Sequence, residues 1–135
     1  MKKVLSLTLA SDLDELGKMD AFVNSIRDAV SCDADTGHHI MLVLTEAVTN
    51  AILHGNRQQP DKTVDIRAEL APERVVISVL DQGDGFDPDS IPNPLEEQNL
   101  LKSSGRGVWL MREFADAVRF RDDGRHVELE FKLKP

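Results

Sequence analysis

"LTEAVTNAIL" runs from residue 44 to residue 53, and the fold turns on whether it is a helix. Ile40, Val43, Leu44, Ala47, Val48, Ala51 and Ile52 recur at three- and four-residue intervals, the spacing of one helix face. The same period sets Glu46, Asn50 and His54 at i, i+4 and i+8, a polar file beside the apolar stripe. Such a helix is held on a core by its stripe, with the polar file at the core margin or over a cavity. It is expected to start near Asp35 or Thr36 and to end around His54-Gly55-Asn56, where glycine or asparagine takes the left-handed conformation.

Working outward, Ser11 or Asp12 is expected to cap a first helix that carries Leu13, Leu16, Phe22, Val23, Ile26 and Val30 on one face. The opening "MKKVLSLTLAS" has the charge and apolar patch of a leader peptide. Ser6 and Thr8 interrupt Val4, Leu5, Leu7 and Leu9, however, so an alternating edge strand is the better reading. After the long helix, "RQQPDKT" is a turn. "VDIRAEL" and "VVISVL", joined by "APER", then read as a hairpin whose second strand is apolar enough to be central. From Asp81 to Gly107 the chain is rich in Gly, Pro, Asp, Ser and Asn, a long insertion of a kind that is usually functional or disordered. "VWLMREFA" restores a helical pattern with Val108, Leu110, Met111 and Phe114 as its apolar side, and "DDG" joins two closing strands, "AVRFR" and "HVELEFKL". The order strand, two helices, two strands, loop, helix, two strands predicts an α+β fold, a two-layer α/β sandwich with helices on one sheet face.

Bulk properties limit the function. The 135 residues suit one domain over 1–135. The net charge of −8 argues against general nucleic-acid binding. A single cysteine, Cys32, permits no internal disulfide and fits a reducing cytoplasm, and no stretch is long and apolar enough for a membrane span.

Three short motifs carry candidate chemistry. In "DQGDGF", residues 81 to 86, two glycines follow a strand end and place Asp81 where a carboxylate accepts from an amine. Read alone, it is better explained as a glycine-containing turn, and it lacks the ligands of a calcium loop. In "SSGRGVWLM", residues 103 to 111, Gly105 and Gly107 stand immediately before a helix, where free N–H groups hold an anion, and Arg106 adds charge. A flexible helix entry explains that stretch equally well. Neither motif has the third glycine of a dinucleotide fingerprint or the lysine of a P-loop. Glu46 and Asn50 are either polar groups at a helix margin or a carboxylate that receives a proton beside an amide oxygen that ligates a hard cation. His54 and the His38-His39 pair lack the partners of a transition-metal site.

Taken in order, Glu46-x-x-x-Asn50-Ala51, Asp81-x-Gly83-x-Gly85-Phe86 and Gly105-Arg106-Gly107 resemble the N, G1 and G2 boxes of the GHKL ATPase superfamily, which has the Bergerat fold. "LTEAVTNAILHGN", "DQGDGFDP" and "LLKSSGRGVWLMR" are most similar to the anti-sigma-factor serine/threonine kinases, and the likeness covers nearly the whole chain. The resemblance implies a mixed sheet, with ATP and Mg2+ as cofactors. It implies Asn50 as magnesium ligand, Glu46 as the base that activates the nucleophile, and Asp81 on the adenine amine with Gly83 and Gly85 beneath the base. It further implies Gly105, Arg106, Gly107 and Val108 on the phosphate side, Arg106 near the terminal phosphate, and a lid over 87–104. The implied activity is phosphorylation of a STAS-type anti-anti-sigma partner coupled to sequestration of a sigma factor, by a homodimer that binds neither nucleic acid nor membrane. An ATP-binding anti-sigma module without kinase activity is the alternative. A sensor histidine kinase would need a phosphoacceptor helix pair. One departure is plain: where relatives often carry Gly-Thr, this chain reads Gly124-Arg125-His126.

Overall fold

The computed structural model describes residues 3–83 and 103–133, without the side chains of 103–106 and 123. Five strands, β1 (Lys3–Ala10), β2 (Thr63–Leu70), β3 (Arg74–Leu80), β4 (Ala117–Arg121) and β5 (His126–Lys132), form one sheet in the order β1-β2-β3-β5-β4. β1 lies at an edge and β3 at the centre, as their patterns predict. Each of these pairings is antiparallel, so the sheet is not the mixed one that the resemblance implies.

Register explains the two faces. Leu7, Ile66, Val79, Val127 and Phe120 align across all five strands, and so do Leu5, Ala68, Ile77, Leu129 and Val118. Because side chains alternate along a strand, both rows point to one face, where the residues of β2, β3 and β5 are buried and those of the two edge strands half-buried. The opposite face is polar. Glu130, only 8% exposed, is held there between Arg74 at 3.2 Å and Arg119 at 3.3 Å.

Three helices cover the apolar face: α1 (Lys18–Ala29), α2 (Ala34–Asn50) and α3 (Ser103–Phe114). The expected first helix is divided. Asp12 caps a 3-10 turn over Leu13–Gly17, accepting from the Asp14 N–H at 2.9 Å, and α1 begins only after Gly17. A glycine inside a helix loses backbone entropy without packing in return, so the break falls there. The face therefore shifts: Leu13 is 40% exposed, and Met19 joins Phe22, Val23 and Ile26 in the core.

The α2 stripe is buried as predicted, from Ile40 to Val48. Asp33 caps it, its carboxylate accepting from the Thr36 N–H at 2.7 Å, slightly upstream of the expected start. Its far end corrects the expectation. Ala51–Gly55 forms one wide π-helical turn, Asn56 has φ −84°, and the left-handed residues are Arg57 (φ 52°) and Gln58 (φ 56°). α3 buries Val108 and Met111, and Phe114 lies against His39 with ring centroids 5.0 Å apart.

Candidate functional site

Glu46 and Asn50 are half-buried on α2, on the side that meets α3. What lies against them is Gly107. A Cβ on Gly107 would stand 2.9 Å from Asn50 Nδ2 and 3.2 Å from both Asn50 Oδ1 and Glu46 Oε2. The missing side chain thus lets α3 close onto the polar file, and it joins two motifs that are 57 positions apart, from 50 to 107. His54 leaves the file. The π-turn that follows Asn50 bonds i to i+5, which ends the 3.6-residue spacing and carries His54 to an exposed position.

The helix entry expected at Gly105 and Gly107 is also corrected, because α3 already begins at Ser103. Only the first four N–H groups of a helix lack an internal acceptor. Gly105 and Arg106 fall within that first turn and Gly107 just beyond it, so Gly107 serves close approach rather than donation. The side chain of Arg106 and all of Gly85 lie outside the described residues, as does the expected lid except for its last two residues, Ser103 and Ser104. Val108 is 3% exposed and points into the core.

β3 delivers Asp81 to the same end of the sheet. Its N–H donates to the Arg125 carbonyl at 2.9 Å, and its Oδ1 accepts from the Gly83 N–H at 2.8 Å. The carboxylate rests on the bare Cα of Gly55, and the Cα of Gly83 rests on the Gly55 carbonyl; a Cβ at either glycine would collide. Burial pushes the Asp81 carboxyl above its ordinary value of 3.8, against the opposing pull of the Gly83 N–H and the charges of Arg125 and Lys62. An acceptor held in this way suits a neutral amine donor.

Two cavities flank Asp81. The inner one lies between Asn50, Ala51, Met111, Phe120 and Val127 and has about 20 Å³, little more than a water molecule needs. The outer one, about 270 Å³, is lined by Leu80, Gln82, Gly83, Asp122 and Arg125 together with Asp81. Gly124 (φ 87°) makes the turn that sets Arg125 beside both, so the position where relatives often carry threonine does face the site.

Asn56 is a site-supporting residue that the motif pattern did not disclose. It is 0% exposed, its Nδ2 donates to Ser11 Oγ at 2.6 Å and to the Thr63 carbonyl at 2.8 Å, and its Oδ1 accepts from the Gln82 N–H at 2.7 Å. The available signal was an asparagine following a glycine at a helix end, which reads equally well as a chain terminator.

The chain matches the family model described as "Histidine kinase-like ATPase domain" over residues 9–131. Among curated proteins it is 35% identical to an anti-sigma F factor of Clostridium beijerinckii over 74% of this chain and 72% of that one. It is 32% identical to an anti-sigma F factor of Oceanobacillus iheyensis over 87% of this chain and 82% of that one. It is also 29% identical to the serine-protein kinase RsbW of Bacillus subtilis, over 62% of this chain and 56% of that one. A crystal structure of the RsbU and RsbW domains of a Mycobacterium tuberculosis protein superposes with a TM-score of 0.67 at 16% identity, covering 98% of this chain and 32% of that one. That likeness extends to the fold.

Proposed function

Since the chain belongs to the histidine kinase-like ATPase domain family and is similar over most of its length to anti-sigma F factors, we propose that it is an ATP-dependent protein serine/threonine kinase that also sequesters a sigma factor. Residues 1–135 act as one such domain. The observation that carries this reading is the meeting of Glu46, Asn50 and Gly107 at the end of the sheet where Asp81 stands. The Asp81 carboxylate beside the outer cavity and the half-buried amide of Asn50 fit an adenine nucleotide and a magnesium ion. Bound Mg-ATP supplies the phosphoryl group. The chain's own residues orient it: Asp81 accepts from the adenine amine, Gly83 and Gly85 admit the base, and Asn50 offers its amide oxygen to the metal. The first turn of α3, with Gly105 and Arg106, would face the phosphates, and Glu46 would take the proton from the acceptor hydroxyl as the serine or threonine oxygen bonds to the γ-phosphorus and the bond from that phosphorus to the β,γ-bridging oxygen breaks, releasing ADP.

The names of the relatives support a sigma factor as partner and a protein serine as acceptor; to these we add a STAS-type anti-anti-sigma protein as that acceptor, a homodimer and a cytoplasmic setting. Among the described residues no helix is long and apolar enough to cross a membrane. A nucleotide-gated binder that transfers no phosphate is the second reading, favoured by relatives whose names state anti-sigma binding alone. Single-turnover incubation with labelled ATP, magnesium and a STAS-domain partner tests the choice. Label on a partner serine or threonine supports the kinase. Tight partner binding without label supports the second reading.

A further inference from the structure

The turn that holds Asp81 is fixed from outside the three motifs. Asn56 bonds three separate segments: Ser11 after β1, Thr63 at the start of β2, and the Gln82 N–H next to Asp81. Gln82 returns a bond, its Oε1 accepting from the Thr63 N–H at 2.8 Å, and the Ser11 N–H donates to the Lys62 carbonyl at 3.2 Å. One residue earlier, Gly55 carries the Asp81 carboxylate on its Cα and the Gly83 Cα on its carbonyl. Residues 55 and 56 are therefore a seat for 81–83. The wide turn over Ala51–Gly55 brings that seat into place, because a helix continuing in regular register past Asn50 would direct Gly55 and Asn56 elsewhere. Polar side chains so deeply buried are retained at a cost unless every bond is made, and here the amide makes a bond with each of its heteroatoms.

We propose that Asn56 is a positioning residue for base recognition: through the Gln82 N–H and the Gly55 seat it fixes the Asp81 carboxylate at the height and angle from which it selects a 6-amino purine. The proposal rests on the ATP reading above. It goes beyond that reading in assigning selectivity to a residue that lines neither cavity.

The test compares ATP with purine riboside triphosphate, which carries hydrogen in place of the adenine amine and an unprotonated N1, and so offers Asp81 no donor. Asn56→Ala is expected to weaken ATP binding about tenfold, the worth of one well-placed hydrogen bond to a charged group, and to leave binding of the purine analogue unchanged, so that the preference for ATP over the analogue falls. A merely structural role lowers both affinities together and keeps the ratio, and that result overturns the proposal. Ser11→Ala, which removes only the 2.6 Å partner on the far side of Asn56, is the milder variant if the first does not fold, with a smaller fall in the same ratio expected. Hydrogen exchange of the Gln82 and Gly83 amides in nucleotide-free protein separates this idea from the reading beneath it. If wild type shows no preference for ATP, the ATP reading fails, yet faster exchange at both amides in Asn56→Ala still supports the seat. Unchanged exchange at Gln82 and Gly83 overturns it whatever the nucleotide does.

Discussion

Gly107→Ala adds one methyl group at the place where α3 meets α2, and its consequences divide cleanly. Gly107 is a helical glycine without a left-handed φ, so alanine is conformationally admissible and improves helix propensity by roughly 0.5–1 kcal/mol. The methyl carbon, however, would stand 2.9 Å from Asn50 Nδ2 and 3.2 Å from Asn50 Oδ1 and Glu46 Oε2. All three are ends of flexible side chains, which give way by a few tenths of an ångström while the backbone stays in place. The opposing effects leave global stability within about 1 kcal/mol of wild type. The Asn50 amide is displaced in the process. If it ligates magnesium, the loss equals about one charge-assisted bond, roughly 1.5–3 kcal/mol, and Mg-ATP affinity falls by about 10- to 100-fold. Thermal melts read the first quantity, and calorimetry with ATP in the presence and absence of magnesium reads the second. A folded variant that binds Mg-ATP within twofold of wild type refutes the placement of Asn50 at the metal. Gly83→Ala provides the contrast, because its methyl meets the backbone carbonyl of Gly55, which cannot rotate away, and the melting temperature itself should drop.

Burial raises the Asp81 carboxyl above 3.8, so the folded protein holds that proton more tightly than the unfolded chain does, and the group's contribution to stability is lost as pH rises from about that value through the folded one. Asp81→Asn should therefore melt higher than wild type at pH 7, with the gap closing in acid, while ATP affinity falls; a lower melting temperature at pH 7 contradicts the assignment. Glu46→Gln keeps the shape and removes the base, so single-turnover transfer to the partner should fall roughly 10²- to 10⁴-fold with ATP affinity retained, and transfer at the wild-type rate removes Glu46 from proton transfer. Asn50→Ala should abolish the magnesium dependence of ATP affinity in titration calorimetry without lowering the melting temperature, and an unchanged magnesium effect points to another ligand.

Much of this architecture was written in local pattern. The α2 stripe from Ile40 to Val48, the alternation of Val64, Ile66, Ala68 and Leu70, and the apolar run of β3 each encode a face, because period and burial are tied by helix and strand geometry alone. The motif residues Glu46, Asn50, Asp81 and Gly83 were legible for the same reason: each is a polar or bare position set within or beside a regular element. Tertiary structure decided the rest. The sheet became antiparallel at every described pairing because strand partners are chosen by long-range register, as in the row from Leu7 to Phe120, which no single segment contains. Asn56 looked like a helix terminator because its three partners, Ser11, Thr63 and Gln82, lie on segments separated in the chain, and only their convergence turns an asparagine into a buried clamp. Gly107 likewise read as a source of a free N–H, whereas helix packing made it the gap into which Asn50 and Glu46 fit. Sequence determines what each segment prefers and which side it buries; the meeting of distant side chains depends on how the whole chain closes, since the energy of such a contact exists only when both partners have arrived.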